Sequence, residues 1–243
     1  MEIIPSIDLR GGKVVRLKQG DYQRQLNYAV DPLSTARSFA EAGARWMHIV
    51  DLDGAKEGRP VQHELIGRIA RESGLHVEVG GGVRSTEDIQ RLIDSGAERV
   101  IVGTKAIEDW DWFTATVTQL PFSGRLVLAL DARDGIVATR GWTGSSGRRA
   151  VEIARDISDW PLAAILYTDI ARDGMMGGTN VEQTRLLAQA GKIPVIASGG
   201  VGSLEDIRLL LGQGIWGVVV GRSIYEGTVD LASALRLASA VAN

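Results

Sequence analysis

The segment GGGVRSTEDIQRLIDSGAERVIVGT, Gly80 to Thr104, returns as SGGVGSLEDIRLLLGQGIWGVVVGR, Ser198 to Arg222, at a constant offset of 118 residues. Gly81, Gly82, Val83, Ser85, Glu87, Asp88 and Ile89 recur as Gly199, Gly200, Val201, Ser203, Glu205, Asp206 and Ile207, and Gly103 recurs as Gly221. The match reaches upstream. Asp51 in HIVDLDG pairs with Asp169 in LYTDIARDG at the same offset, and Asp8 in SIDLRGG pairs with Asp131 in ALDARDG at an offset of 123, a five-residue indel. A chain built from two copies of one unit must fold so that both copies sit in equivalent surroundings.

What the unit contains is set by its hydrophobic pattern. Eight short apolar runs rich in β-branched residues read as strands: Ile3–Asp8, Trp46–Asp51, His76–Gly80, Arg99–Gly103, Leu126–Asp131, Ala164–Asp169, Pro194–Ser198 and Trp216–Gly221. Their near-continuous apolar character suits parallel strands covered on both faces. Amphipathic stretches lie between them, at Leu33–Ala42, His63–Glu72, Thr86–Ser95, Ile107–Gln119, Ala150–Ser158, Val181–Ala190, Leu204–Gly212 and Leu231–Val241. Gly43, Gly96, Gly191 and Gly214 read as helix C-caps. Strand–helix alternation permits an open doubly wound sheet or a closed barrel. Eight units in 243 residues, halved by a repeat, select an α/β fold with one (β/α)8 TIM barrel. No linker interrupts it. A single domain over residues 1–243 is expected, with half-barrels of approximately 1–122 and 123–243.

Composition narrows the function. With no cysteine, disulfides, thiolate catalysis and Cys-ligated metals are excluded, and the composition suits a reducing cytoplasm. A formal net charge of −3 gives no electrostatic case for nucleic acid. No uncharged apolar run reaches the roughly 20 residues of a membrane span, and MEIIPSIDLR does not read as a secretory signal. His48, His63 and His76 lack metal-ligand spacing and read as structural. No dinucleotide fingerprint and no Walker A pattern occurs, so neither cofactor nor metal is expected. The single-domain layout is compatible with a monomer.

Each copy of the repeat carries two glycine clusters at strand C-termini. One copy has Gly81 and Gly82 with Gly103-Thr104; the other has Gly199 and Gly200 with Gly221-Arg222. Glycine lets backbone N–H groups approach an anion, and barrels favour phosphate after strands seven and eight. The competing account is turn chemistry alone, with Ser85 and Ser203 as helix-capping residues. Two clusters at matched positions favour the phosphate reading and a small substrate with a phosphate at each end.

Asp8 ends the first strand and Asp131 the fifth, diametrically opposed in a barrel. Two carboxylates in different environments can divide the roles of base and acid in proton transfer at a sugar carbon. Thr168 and Asp173, at and beyond the end of the sixth strand, are placed to bind substrate or tune Asp131, although Asp173 also sits in an ordinary RDG turn. Asp51 reads as a turn cap. KVVRLKQGDY, Lys13 to Tyr22, and IVATRGW, Ile136 to Trp142, read as hairpins over the mouth; they offer Arg16, Arg140 and Trp142 for phosphate and heterocycle contacts.

IPSIDLRGGKVVRLKQGDY, HIVDLDGAKEG, VGGGVRSTEDI, VGTKAI, LALDARDG, RGW, TDIARDG, SGGVGSLEDI and VVVGRSIYEG resemble, in order and spacing, the ribotide isomerases of histidine biosynthesis, across essentially the whole chain. The resemblance implies an Amadori rearrangement that converts a phosphoribosyl-formimino-aminoimidazole-carboxamide ribotide to its phosphoribulosyl isomer, without cofactor or metal. It assigns Asp8 as proton acceptor at the sugar C2 and Asp131 as the acid that opens the ribofuranose ring. The position of Asp173 is the alternative acid. Arg140 and Trp142 are spaced as in relatives that also accept phosphoribosyl anthranilate, which leaves a dual-substrate enzyme as the alternative. The related cyclase, which needs a glutaminase partner, is less similar in RLKQGDY and TDIARDG. A phosphate-binding barrel without catalysis is the remaining alternative.

Overall fold

The computed structural model describes residues 1–18 and 20–240. It contains twelve strands, β1 (Glu2–Arg10), β2 (Lys13–Lys18), β3 (Asp21–Asn27), β4 (Trp46–Asp51), β5 (His76–Gly80), β6 (Arg99–Val102), β7 (Leu126–Arg133), β8 (Ile136–Thr139), β9 (Gly144–Arg149), β10 (Ala164–Asp169), β11 (Val195–Ser198) and β12 (Gly217–Val220). Eight of them run parallel in the order β1, β4, β5, β6, β7, β10, β11, β12. β12 pairs back onto β1, so the sheet closes into a barrel with helices between the strands. These are the eight strands expected from the hydrophobic pattern, with ends displaced by at most two residues.

The alternation within each strand decides what faces the interior. Side chains of successive strand residues point to opposite faces. In IIPSIDL, Ile3, Ile7 and Leu9 pack outward into the large core shared with the helices. Ile4 joins the inner cluster with Ile101, Val127, Ala164, Leu166, Ile196 and Val219. The same parity sends Asp8 of β1, Asp131 of β7 and Thr168 of β10 inward at the C-terminal ends of their strands. Pro5 is tolerated inside β1 because it falls where pairing changes over: Glu2–Pro5 register with β12 and Ser6–Leu9 with β4.

Several helices begin where the sequence supplies a cap. Asp31 caps Pro32–Glu41 through the Ser34 amide, and Ser85 and Ser203 form capping boxes with Asp88 and Asp206. The two copies share backbone geometry. Ser85 and Ser203 have φ/ψ of −141°/166° and −148°/166°; Gly103 and Gly221 have −109°/−103° and −111°/−100°.

Some local expectations need correction. The helix expected over Ile107–Gln119 is two helices, Thr104–Glu108 and Trp110–Val117. Asp109 divides them because its carboxylate accepts from the Trp112 amide and from Lys105 Nζ, drawing the backbone out of the helix. A short helix, Leu52–Glu57, follows β4, capped by Asp51. Gly43 and Gly96 end helices in left-handed conformation. Gly191 and Gly214 do not, since those helices stop earlier, at Ala188 and Leu210; at Gly191 a Cβ would press on the Ala154 carbonyl oxygen at 2.7 Å. The last helix spans Leu231–Ala240, and Val241 lies outside the described residues. No helix among the described residues is long and apolar enough to cross a membrane.

The repeat's glycines are held by crowding. A Cβ on Gly82 would collide with the Gly54 carbonyl oxygen and one on Gly200 with the Gly178 carbonyl oxygen; both residues also have positive φ, 78° and 89°. Gly200→Ala is therefore expected to lower unfolding free energy by about 2 kcal/mol or more, read from the denaturant midpoint.

Candidate active site

The C-terminal ends of the eight barrel strands open into one cavity of about 1020 Å³. Every residue singled out as a candidate lines it. From the first half come Asp8, Arg16, Gly81, Gly82, Gly103 and Thr104. From the second come Asp131, Arg140, Trp142, Thr168, Asp173, Gly199, Gly200, Gly221 and Arg222.

Two hairpins roof the mouth. β2 continues antiparallel from β1, with Asp8 opposite Val15, and β3 folds back on β2. Tyr22 Oη donates to the Leu52 carbonyl and the Gly11 amide to Asp53, which tie this hairpin to the loop after β4. β8 and β9 form the second hairpin beyond β7. Its tip holds Arg140 and Trp142 in left-handed conformation, φ 54° and 73°. The tips meet: a Cβ on Gly20 would lie 3.0 Å from the Trp142 indole.

The two central carboxylates live in different surroundings. Asp8 is buried, and Arg16 Nη1 donates to its Oδ2 at 3.2 Å. Arg16 Nη2 reaches Asp173 Oδ1 at 2.7 Å, so one guanidinium bridges the ends of β1 and β10. Burial raises the Asp8 pKa; Arg16 opposes this and Asp173 adds to it. Burial alone would lower the Arg16 pKa, but the charges of Asp173 and Asp8 carry it above the ordinary value. Among the described residues Asp131 makes no ion pair. Trp142 Nε1–H donates to its Oδ2 at 2.8 Å. Burial raises its pKa as well, against hydrogen bonds from Trp142 and Thr168. One carboxylate thus rests on a cation and the other on neutral donors.

The remaining candidates form the rim. Ser85 and Ser203 are occupied by their own helices: Asp88 accepts from the Arg84 and Ser85 amides, and Asp206 from the Gly202 and Ser203 amides. The helices that start after Gly103 and Gly221 have no side-chain cap. Thr104 Oγ1 accepts from the Arg140 amide at 3.2 Å. The Arg140 side chain turns outward to Glu108, Nε to Oε1 at 2.7 Å, and Arg222 Nη1 donates to the Gly174 carbonyl. Asp51 acts as a turn cap, accepting from the Gly54, Val61 and Gln62 amides.

Sequence reasoning missed four residues on the cavity wall, Lys56, Arg84, Lys105 and His48. Arg84 had a signal: it stands in the first copy where the second has Gly202. His48, read as structural, is an inward residue of β4, and its Nδ1 lies 2.8 Å from Glu78 Oε1.

A closed (β/α)8 barrel with two differently supported carboxylates at the mouth is an arrangement suited to acid–base chemistry. Comparison with known proteins narrows the class. A family model described as histidine biosynthesis protein matches residues 2–230, and the chain belongs to that family. Similar proteins include one from Synechococcus elongatus, 50% identical over 239 residues that cover 97% of this chain and 93% of the relative. Another, from Halorhodospira halophila, is 48% identical over 99% and 98%. A third, from Acinetobacter baylyi, is 47% identical over 96% of each. All three are named 1-(5-phosphoribosyl)-5-((5-phosphoribosylamino)methylideneamino) imidazole-4-carboxamide isomerase.

Two measurements check the electrostatics. Trp142→Phe removes the donor that favours the Asp131 carboxylate, so a carbon-13 NMR titration is expected to show the Asp131 pKa moving further up. The second concerns stability. A carboxyl whose folded pKa lies above its unfolded value binds more protons when folded, so its contribution is full below the unfolded pKa and lost as pH rises through the folded one. Asp131→Asn is therefore expected to melt at a higher temperature than the wild type at pH 7, with the difference shrinking as pH falls towards the ordinary aspartate value of 3.8.

Proposed function

We propose that this protein catalyses the isomerisation for which its relatives are named, the conversion of an N-linked phosphoribosyl aldose to the corresponding aminoketose. The observation that carries the reading is the pair Asp8, buried, and Asp131, part-buried, at the ends of β1 and β7 in one cavity and supported differently.

In this reading Asp131 supplies the acid. Burial favours its protonated form, which donates to the ribofuranose ring oxygen as the C1–O bond breaks and a Schiff base forms. Asp8 supplies the base. Arg16 sustains its carboxylate, which accepts the proton from C2 as the electron pair moves to give an enolamine. Protonation at C1 with ketonisation at C2 completes an aminoketose of the same composition as the substrate. Asp173, held by Arg16, supports the charge of that guanidinium, and Thr168 and Trp142 orient Asp131.

A phosphate at each end of the substrate suits the duplicated turns. One would lie against Gly81, Gly82, Gly103 and Thr104, near Lys56, Arg84 and Lys105. The other would lie against Gly199, Gly200, Gly221 and Arg222. Backbone amides at uncapped helix starts suit phosphate oxygens. Proton transfer between carboxylates calls for no cofactor, and the reading carries with it a cytoplasmic monomer of two half-barrels, 1–122 and 123–243.

Asp8→Asn is expected to lower kcat by roughly 10²–10⁴-fold in a steady-state assay with the ribotide. Calorimetry is expected to find bisphosphorylated product binding nearly unchanged. Retained turnover removes Asp8 from the mechanism, and a wild type without turnover on the ribotide removes the reading.

A further inference from the structure

One layer below the two aspartates, the barrel interior contains a carboxylate that the proposed chemistry does not use. Glu78 of β5 is fully buried. It stands in register with His48 of β4 on one side and Arg99 of β6 on the other. Its Oε1 takes the His48 Nδ1 contact at 2.8 Å, while its Oε2 has no hydrogen-bond partner, and neither does the buried Nη1 of Arg99. Arg99 lies between the rings of Trp46 and Trp216, 4.0 and 4.6 Å from their centroids. Burial there lowers its pKa, which the charge of Glu78 opposes.

Such a group is costly to keep. A buried, incompletely satisfied carboxylate is often no more stable than an apolar residue of similar volume. Its one complete contact is to an imidazole that also lines the catalytic cavity. Asp8 and Asp131 line the same cavity as this ring. A carboxylate can only accept, so the His48 nitrogen against it must carry the proton. That leaves Nε2 as the atom turned to the cavity. Without an acceptor at residue 78 the ring is free to exchange tautomers or rotate.

We propose that Glu78 is a positioning residue that acts through His48. By accepting from Nδ1–H, it fixes the tautomer and orientation of the ring, so that Nε2 meets a polar atom of the sugar between Asp8 and Asp131. This inference rests on the isomerase reading, since the sugar is the group that Nε2 meets. It requires an acceptor at residue 78, and the Gln side chain provides one.

The test compares wild type, Glu78→Gln and Glu78→Met in the same assay, with ribotide as substrate. A residue that orients a histidine from behind is typically worth roughly 10–100-fold, so Glu78→Met is expected to lose that much kcat with KM within about threefold, and Glu78→Gln to stay within about threefold of wild type in both. Thermal melting separates a structural role. Removing the carboxylate leaves the His48 Nδ1–H and the Arg99 guanidinium without it, so Glu78→Met is expected to melt below wild type; kcat is therefore compared well below the melting transition of every variant, where a lower kcat is not a folding defect.

Long-range proton–nitrogen NMR reads the tautomer directly, and with three histidines in the chain a His48→Asn sample assigns the signal. The expected result is a protonated Nδ1 in wild type and Glu78→Gln, and a mixed population in Glu78→Met. A bare Nδ1 in wild type overturns the proposal without any variant. So does a Glu78→Met enzyme with wild-type kcat, or a Glu78→Gln enzyme as impaired as Glu78→Met. Wild-type turnover in the same preparation shows that such a failure belongs to this inference; its absence overturns the isomerase reading and, with it, the catalytic role given to Glu78.

Discussion

Closing eight strands on themselves forces every second strand residue into a shared interior that has no other exit than the two barrel ends. Everything else in this protein answers to that constraint. Apolar inward residues fill the lower barrel as the Ile4, Ile101, Val127 and Leu166 cluster. Polar inward residues at the strand ends face the cavity, where burying them costs least; Glu78, with His48 and Arg99, is the exception below them. Asp8, Asp131 and Thr168 stand at that height.

Three carboxylates at one mouth would repel each other, and the fold manages the charge with a single buried guanidinium. Arg16 comes from the hairpin that grows out of β1, and it joins Asp8 to Asp173 across the barrel. Asp131 receives a different solution, the indole N–H of Trp142 from the hairpin beyond β7. The hairpins thus cover the mouth and also set the environment of the aspartate on the strand from which each one grows. The proposed division of two chemically identical side chains into base and acid rests on that asymmetry.

The glycines show how closely turn geometry and ligand binding are bound together. Gly82 and Gly200 are required by neighbouring carbonyl oxygens alone. The helix starts at Ser85 and Ser203 are satisfied by their own capping boxes. The backbone groups left for the proposed phosphates are those of the turns themselves and of the uncapped starts after Gly103 and Gly221.

Much of this was legible along the chain. Short, near-continuous apolar runs marked all eight barrel strands, and the repeat pointed to closure. Parity within IIPSIDL and LVLALDA is enough to turn Asp8 and Asp131 inward, because side-chain direction in a strand is a local property. Asp109 escaped notice because a helix-compatible run concealed a residue whose carboxylate competes for its own backbone. What only the tertiary structure decided are the partnerships across strands. Arg16 with Asp173, Trp142 with Asp131, Glu78 with His48, and Gly20 with Trp142 depend on barrel register and on the fold of two hairpins. The sequence by itself determined which residues look into the barrel; which of them touch was decided by the stagger of neighbouring strands, a quantity that no single strand contains.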